Sequence, residues 1–106
     1  MNVRYANTFF QRLKGMLFDG KKGMPEYVVI EPCNDIHTWW VRWPIDVAFV
    51  DCFGVVLMAR TNVHPFRRLK CKKAYAVVER KSTGDGWFSL GDCIPWAARD
   101  RKDEWM

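Results

Sequence analysis

His37, Arg42 and Asp46 are the residues of this chain best suited to chemistry. They lie in one stretch, Cys33 to Asp51, with three of the six tryptophans, Trp39, Trp40 and Trp43. Arginine offers a planar fork of donors to a carboxylate or phosphate. Imidazole carries a proton near neutral pH. Tryptophans wall a pocket or stack on a planar ligand. Glu79, in a later apolar run, adds a second carboxylate. Together His37, Arg42, Asp46, Glu79, Trp39, Trp40 and Trp43 make a candidate site for a small or anionic ligand. A catalytic alternative uses the same site with His37 as acid or base. A structural alternative has Arg42 neutralising a buried Asp46 while His37 donates to the backbone.

Other chemistry is less well supported. Cys33 precedes His37 by four residues, and an imidazole can activate a thiol, but no third residue to orient the pair is evident. Cys33, Cys52, Cys71 and Cys93 contain no Cys-x-x-Cys pair, so reduced, buried thiols are expected rather than zinc ligands. A metal held by His37 with Asp46 or His64 has no helical histidine spacing behind it. No metal or cofactor is expected. There is no Gly-rich phosphate loop; Gly84-Asp85-Gly86 and Gly91-Asp92 look like turns. A second binding candidate is the basic stretch Arg67, Arg68, Lys70, Lys72 and Lys73, flanked by Phe66 and Tyr75. Cations would meet phosphates there and aromatics would stack on bases. A solvated loop is the commoner fate of such a stretch, and no nucleic-acid motif accompanies it.

These residues need elements to hold them. Val3–Ala6 reads as a short strand. Thr8 with Gln11 fits a capping box, and Phe9, Leu13, Met16 and Leu17 give a helical stripe. Tyr27–Glu31 is β-branched and apolar, hence a strand, which Pro32 ends. In a regular strand His37, Trp39, Val41 and Trp43 would share one face, with Arg42 on the other. Pro44 implies an irregularity there. Ile45–Val50 reads as a strand buried on both faces, except that Asp46 then requires a partner. Asp51 and Gly54 suit the first and fourth places of a turn, and Val55–Ala59 returns as a hairpin arm. Residues 61–73 read as irregular, Ala74–Glu79 as a strand, and Leu90–Ile94 as a turn into a last short strand. The expected class is α+β, mainly β: a twisted antiparallel sheet or small barrel with one N-terminal helix packed on it. Residues 1–95 would form a single domain and 96–106 a charged tail or short helix.

The bulk numbers agree with a globular chain. It has 106 residues, 49% hydrophobic and 27% charged, which is one domain with a sizeable core. A net charge of +5 permits an anionic partner without requiring one. No apolar run approaches the roughly 20 residues of a membrane span, and no signal-like or lipidation sequence stands out. A cytoplasmic setting without a membrane partner is expected.

Three segments together resemble a known family. They are Ala6…Arg12-Leu13-Lys14-Gly15-Met16-Leu17-Phe18, Ile36-His37-Thr38…Arg42…Pro44-Ile45-Asp46-Val47…Phe49…Asp51, and Glu79…Gly91-Asp92. The pattern is similar to the domain-of-unknown-function family one hundred and ninety-two, over about residues 3–94. The resemblance implies a compact, mostly β domain with one helix, found in bacteria and archaea, and no established activity, cofactor or partner. Val41 stands where the family pattern often has methionine. Trp40 and Trp43 are bulkier than the phenylalanines expected there. The reading that follows is a non-catalytic binding or accessory module for a small-molecule or protein partner, with nucleic acid as a less favoured alternative.

Overall fold

The β-branched and apolar runs of the sequence become strands, and their order in space differs from their order in the chain. A computed structural model describes residues 3–6, 26–39 and 41–99. The strands are β1 (Val3–Ala6), β2 (Tyr27–Ile30), β3 (Asp35–His37), β4 (Ile45–Val50), β5 (Val56–Val63), β6 (Arg68–Lys70) and β7 (Ala76–Lys81). A 3-10 turn covers Pro95–Ala97. Five strands form one sheet in the order β1-β2-β7-β4-β5, and β3 pairs with β6 in a separate two-stranded sheet. β1 and β2 run parallel, and the other paired strands run antiparallel.

β4 is buried along its whole length, as its near-continuous apolar sequence requires. Its side chains alternate between two cores. Ile45, Val47 and Phe49 join Val28, Ile30 and Val77 on the first face, covered by Cys33, Ile36 and Val41. Ala48 and Val50 join Val29, Ala76 and Val78 on the second, covered by Ile94 and Ala97 and by the rings of Trp87, Phe88 and Trp96. Phe49 is fully buried, and a side chain of this size contributes roughly 1.5–3 kcal/mol by leaving water. The β4–β5 turn forms as its residues suggest. Asp51 Oδ1 accepts from the N–H groups of Phe53 (2.9 Å) and Val55 (3.0 Å). Gly54 has φ +83°, and a Cβ there would collide with the Ile94 carbonyl, so only glycine fits.

Four expectations are corrected here. The α+β class with a packed N-terminal helix is replaced by a mainly β architecture: the described residues hold strands and one 3-10 turn, with no α-helix. The stripe Phe9–Leu17 lies outside the described residues. The sheet is mixed rather than antiparallel, because β1 joins β2 in parallel. It is also open rather than a barrel, since its order ends at β1 and β5. Residues 61–73, expected to be irregular, carry the end of β5 and all of β6.

Candidate functional site

The strand alternation that builds the two cores also separates the two buried carboxylates. On β4, Asp46 has the parity of Ala48 and Val50 and lies on the second face. On β7, Glu79 has the parity of Val77 and lies on the first face. Glu79 is fully buried between Val28 of β2 and Val47 of β4.

The partner of Asp46 is Arg80, its cross-strand neighbour on β7. Arg80 Nε donates to Asp46 Oδ2 at 2.7 Å. Arg80 Nη2 donates to the carbonyls of Asp85 and Gly86, both at 2.9 Å. The guanidinium lies 4.7 Å from the centre of the Trp87 ring. Asp46 Oδ1 accepts the Asn62 N–H at 3.0 Å. This last bond fills a bulge. Ile45 pairs with Val63 and Val47 with Arg60, so Thr61 and Asn62 together face Asp46. Asn62 takes φ 54°, a left-handed conformation that asparagine tolerates. A polar cleft of about 340 Å³ opens beside this pair, lined by Pro44, Thr61, Asn62, Ser82 and Asp85. Arg42, the partner suggested by sequence spacing, is exposed, and both oxygens of Asp46 are engaged elsewhere.

His37 belongs to a different surface. On β3, Ile36 enters the first core, so Asp35 and His37 project from the outer side. The pairing of β3 with β6 sets His37 opposite Arg68 and Asp35 opposite Lys70. Arg68 reaches diagonally to Asp35, Nε to Oδ1 at 3.1 Å and Nη2 to Oδ2 at 2.6 Å. That guanidinium holds the Asp35 carboxyl below the usual carboxylate range. The His37 ring packs on Trp39 at 4.9 Å between centres. Its Nδ1 is buried with no hydrogen-bond partner among the described residues. Cys33 is buried, and its thiol donates to the Asp35 carbonyl at 3.3 Å.

Thr38, fully buried, ties the chain after β3 to the loop before β6. Its N–H donates to the Arg67 carbonyl at 2.8 Å. Its hydroxyl donates to the His64 carbonyl and accepts the Arg67 N–H, each at 2.8 Å. The loop so held displays Phe66, which is 74% exposed with φ 67°. Across from it Trp39 is 54% exposed. Arg67 follows Phe66 directly, and Lys70, Lys72 and Lys73 continue the exposed basic run along and beyond β6.

The sequence candidates therefore divide into three groups. His37 and Trp39 meet the basic stretch Arg67–Lys73. Asp46 pairs with Arg80 on the second face, and Glu79 is buried on the first. Trp43 is half-buried against the first core, with Lys81 Nζ 4.4 Å from its ring centre. Trp40 lies outside the described residues. Sequence reasoning missed Thr38 and Asn62 as organisers, whereas Phe66 was singled out beside the basic stretch. A buried carboxylate at Asp46 called for a cation on an adjacent strand, but only strand register identifies it as Arg80. Among the described residues no cluster of three or more histidines, cysteines or carboxylates is placed to hold a metal. Nor is any helix among them long and apolar enough to cross a membrane.

A family model described as an uncharacterised ACR, DUF192, matches residues 1–89. The chain belongs to the DUF192 family. The resemblance read from its three sequence segments is thus correct. No curated protein matches the chain. A crystal structure of a protein of unknown function from Novosphingobium aromaticivorans is similar in fold, with a TM-score of 0.59 and 22% identity. The match covers 76% of this DUF192 chain and 62% of that protein, so this chain spans less than two thirds of its length.

Proposed function

We propose that this domain is a non-catalytic binding module that takes an anionic ligand on the outer surface of β3 and β6. One observation carries the reading. The β3–β6 pairing sets His37 opposite Arg68 and Asp35 opposite Lys70, Thr38 bonds to Arg67 at its end, and Trp39 and Phe66 flank that end with their rings in solvent. Aromatic faces and unpaired cations together suit a ligand that is both charged and planar or apolar. Arg68 contributes less to such a ligand, because Asp35 already occupies its fork. The test is calorimetric titration with inorganic tripolyphosphate at low salt. Binding that weakens on Arg67→Glu and Lys70→Glu, with the fold intact by circular dichroism, is the expected result. Absence of binding, or binding indifferent to both changes, would remove this reading.

A further inference from the structure

We infer that the occupant of this surface is a single-stranded nucleic acid, its bases stacking on Trp39 and Phe66 and its phosphates meeting Arg67, Lys70, Lys72 and Lys73. The inference rests on the anion-binding reading above and adds a partner to it. A small inorganic anion would need the cations only and gives the exposed rings no role. A base gives them one: every base has a π-face, and stacking on an aromatic side chain is tolerant of sequence. Bases inside a duplex do not offer that face, so the strand must be unpaired.

Trp39 and Phe66 offer two exposed rings, one on each side of the Thr38 junction. His37 pairs with Arg68, and the next residues, Thr38 and Arg67, exchange backbone and hydroxyl hydrogen bonds. Trp39 and Phe66 are the next residues outward on the two sides of that junction. The Phe66 N–H reaches the Thr38 carbonyl at 3.4 Å. Trp39 is braced from behind by His37. Phe66 is thus held on hydrogen-bonded backbone and Trp39 against the His37 ring, which reduces the ordering left to do on binding. An anionic membrane surface also attracts cations and aromatics. It requires a contiguous apolar area to bury, whereas here Asp35, His37, Arg68 and Lys70 stand beside the rings and Leu69 turns inward. Isolated rings among charges favour separate bases over acyl chains.

The experiment uses the full chain and three probes: a 12-mer of oligothymidine, an abasic 12-mer with the same phosphates, and vesicles containing phosphatidylserine. Fluorescence anisotropy of labelled oligonucleotides should show tighter binding of oligothymidine than of the abasic strand. Trp39→Ala and Phe66→Ala should each weaken oligothymidine binding by roughly tenfold or more and leave the abasic strand unchanged. With four phosphates contacted, log affinity should fall with log salt at a slope of about −3. Trp39→Phe should retain most of the preference. Equal affinity for the two strands would overturn the inference while leaving the anion-binding reading in place. Vesicle binding with no oligonucleotide binding would also overturn it, in favour of a lipid surface. Failure of the abasic strand and of tripolyphosphate together would remove the underlying reading as well.

Discussion

Asp46 of β4 and Arg80 of β7 stand directly opposite one another in the middle of the sheet, and their side chains are 2% and 12% exposed. Neither is available to the ligand surface some strands away. The pair lies one step inside the end of the β4–β7 ladder, and through Asn62 it also fixes the bulge from which β5 runs on into the aromatic loop.

Removing one member of this pair should destabilise the fold. Asp46→Ala leaves Arg80 and the Asn62 N–H without their acceptor, and the loss expected for breaking a buried pair is about 3–5 kcal/mol. Asp46→Leu combined with Arg80→Met should recover part of it, since no lone charge then remains. Urea unfolding of the single and double variants measures this. A loss below about 1 kcal/mol for Asp46→Ala would place the pair among weak surface ion pairs.

Thr38→Val keeps shape and removes the hydroxyl that bridges His64 and Arg67. The Arg67 N–H then loses its acceptor in a partly buried setting, and stability should fall by about 1 kcal/mol. Thr38→Ser should behave like the parent. Hydrogen exchange at the Arg67 amide reads the effect directly: faster exchange in the valine variant only is the expected pattern.

Phe66 holds a left-handed backbone conformation that disfavours any side chain. Alanine and glycine both delete the ring, but only glycine accepts φ 67° without strain. Phe66→Gly should therefore be more stable than Phe66→Ala by about 1–2 kcal/mol. Thermal melts of the two variants decide it, and equal melting temperatures would mean that the loop relaxes out of this conformation. An aromatic kept at a place where glycine fits better argues that the ring has a use.

Asp35 supplies a pH dependence with a definite sign. The hydrogen bonds from Arg68 lower its pKa, partly opposed by burial and aided by the charges of Arg68, His37 and Lys70. A folded-state pKa below the unfolded value means the stabilisation is present above the unfolded value and disappears as pH falls through the folded one. The parent should thus exceed Asp35→Asn in stability near neutrality, and the gap should close as pH falls through and below the ordinary aspartate range of about 4. Curves that stay parallel over that range would exclude the ion pair as its source.

The strands were legible in the sequence because their apolar runs are strong. Strands were expected over Tyr27–Glu31, Ile45–Val50 and Ala74–Glu79 and form over Tyr27–Ile30, Ile45–Val50 and Ala76–Lys81; the Asp51–Gly54 turn also forms as expected. Pairing was not legible. The same alternation that marks Asp46 as buried says nothing about which strand lies beside it, and Arg80 becomes its neighbour only through the β4–β7 register. The stretch after His37 failed for a related reason. Read as a continuous strand it aligns His37 with Trp43; the actual strand ends at His37, and Thr38 redirects the chain by bonding to a loop 26–29 residues away. β6 was hidden because Arg68, Leu69 and Lys70 form a strand too short and too charged to signal itself.

The place of β7 has a consequence for how the molecule is made. It is the last strand among the described residues, yet it sits between β2 and β4. Before Ala76–Lys81 exists, β1–β2 and β4–β5 are two separate ribbons, each with an apolar edge that lacks its neighbour. Non-local assembly of this kind is slow, and bare edges invite pairing with other chains. A polypeptide that stops short of Ala76 cannot be almost folded, because its two ribbons have nothing to join them. Insertion of one late strand therefore acts as a check on chain completeness.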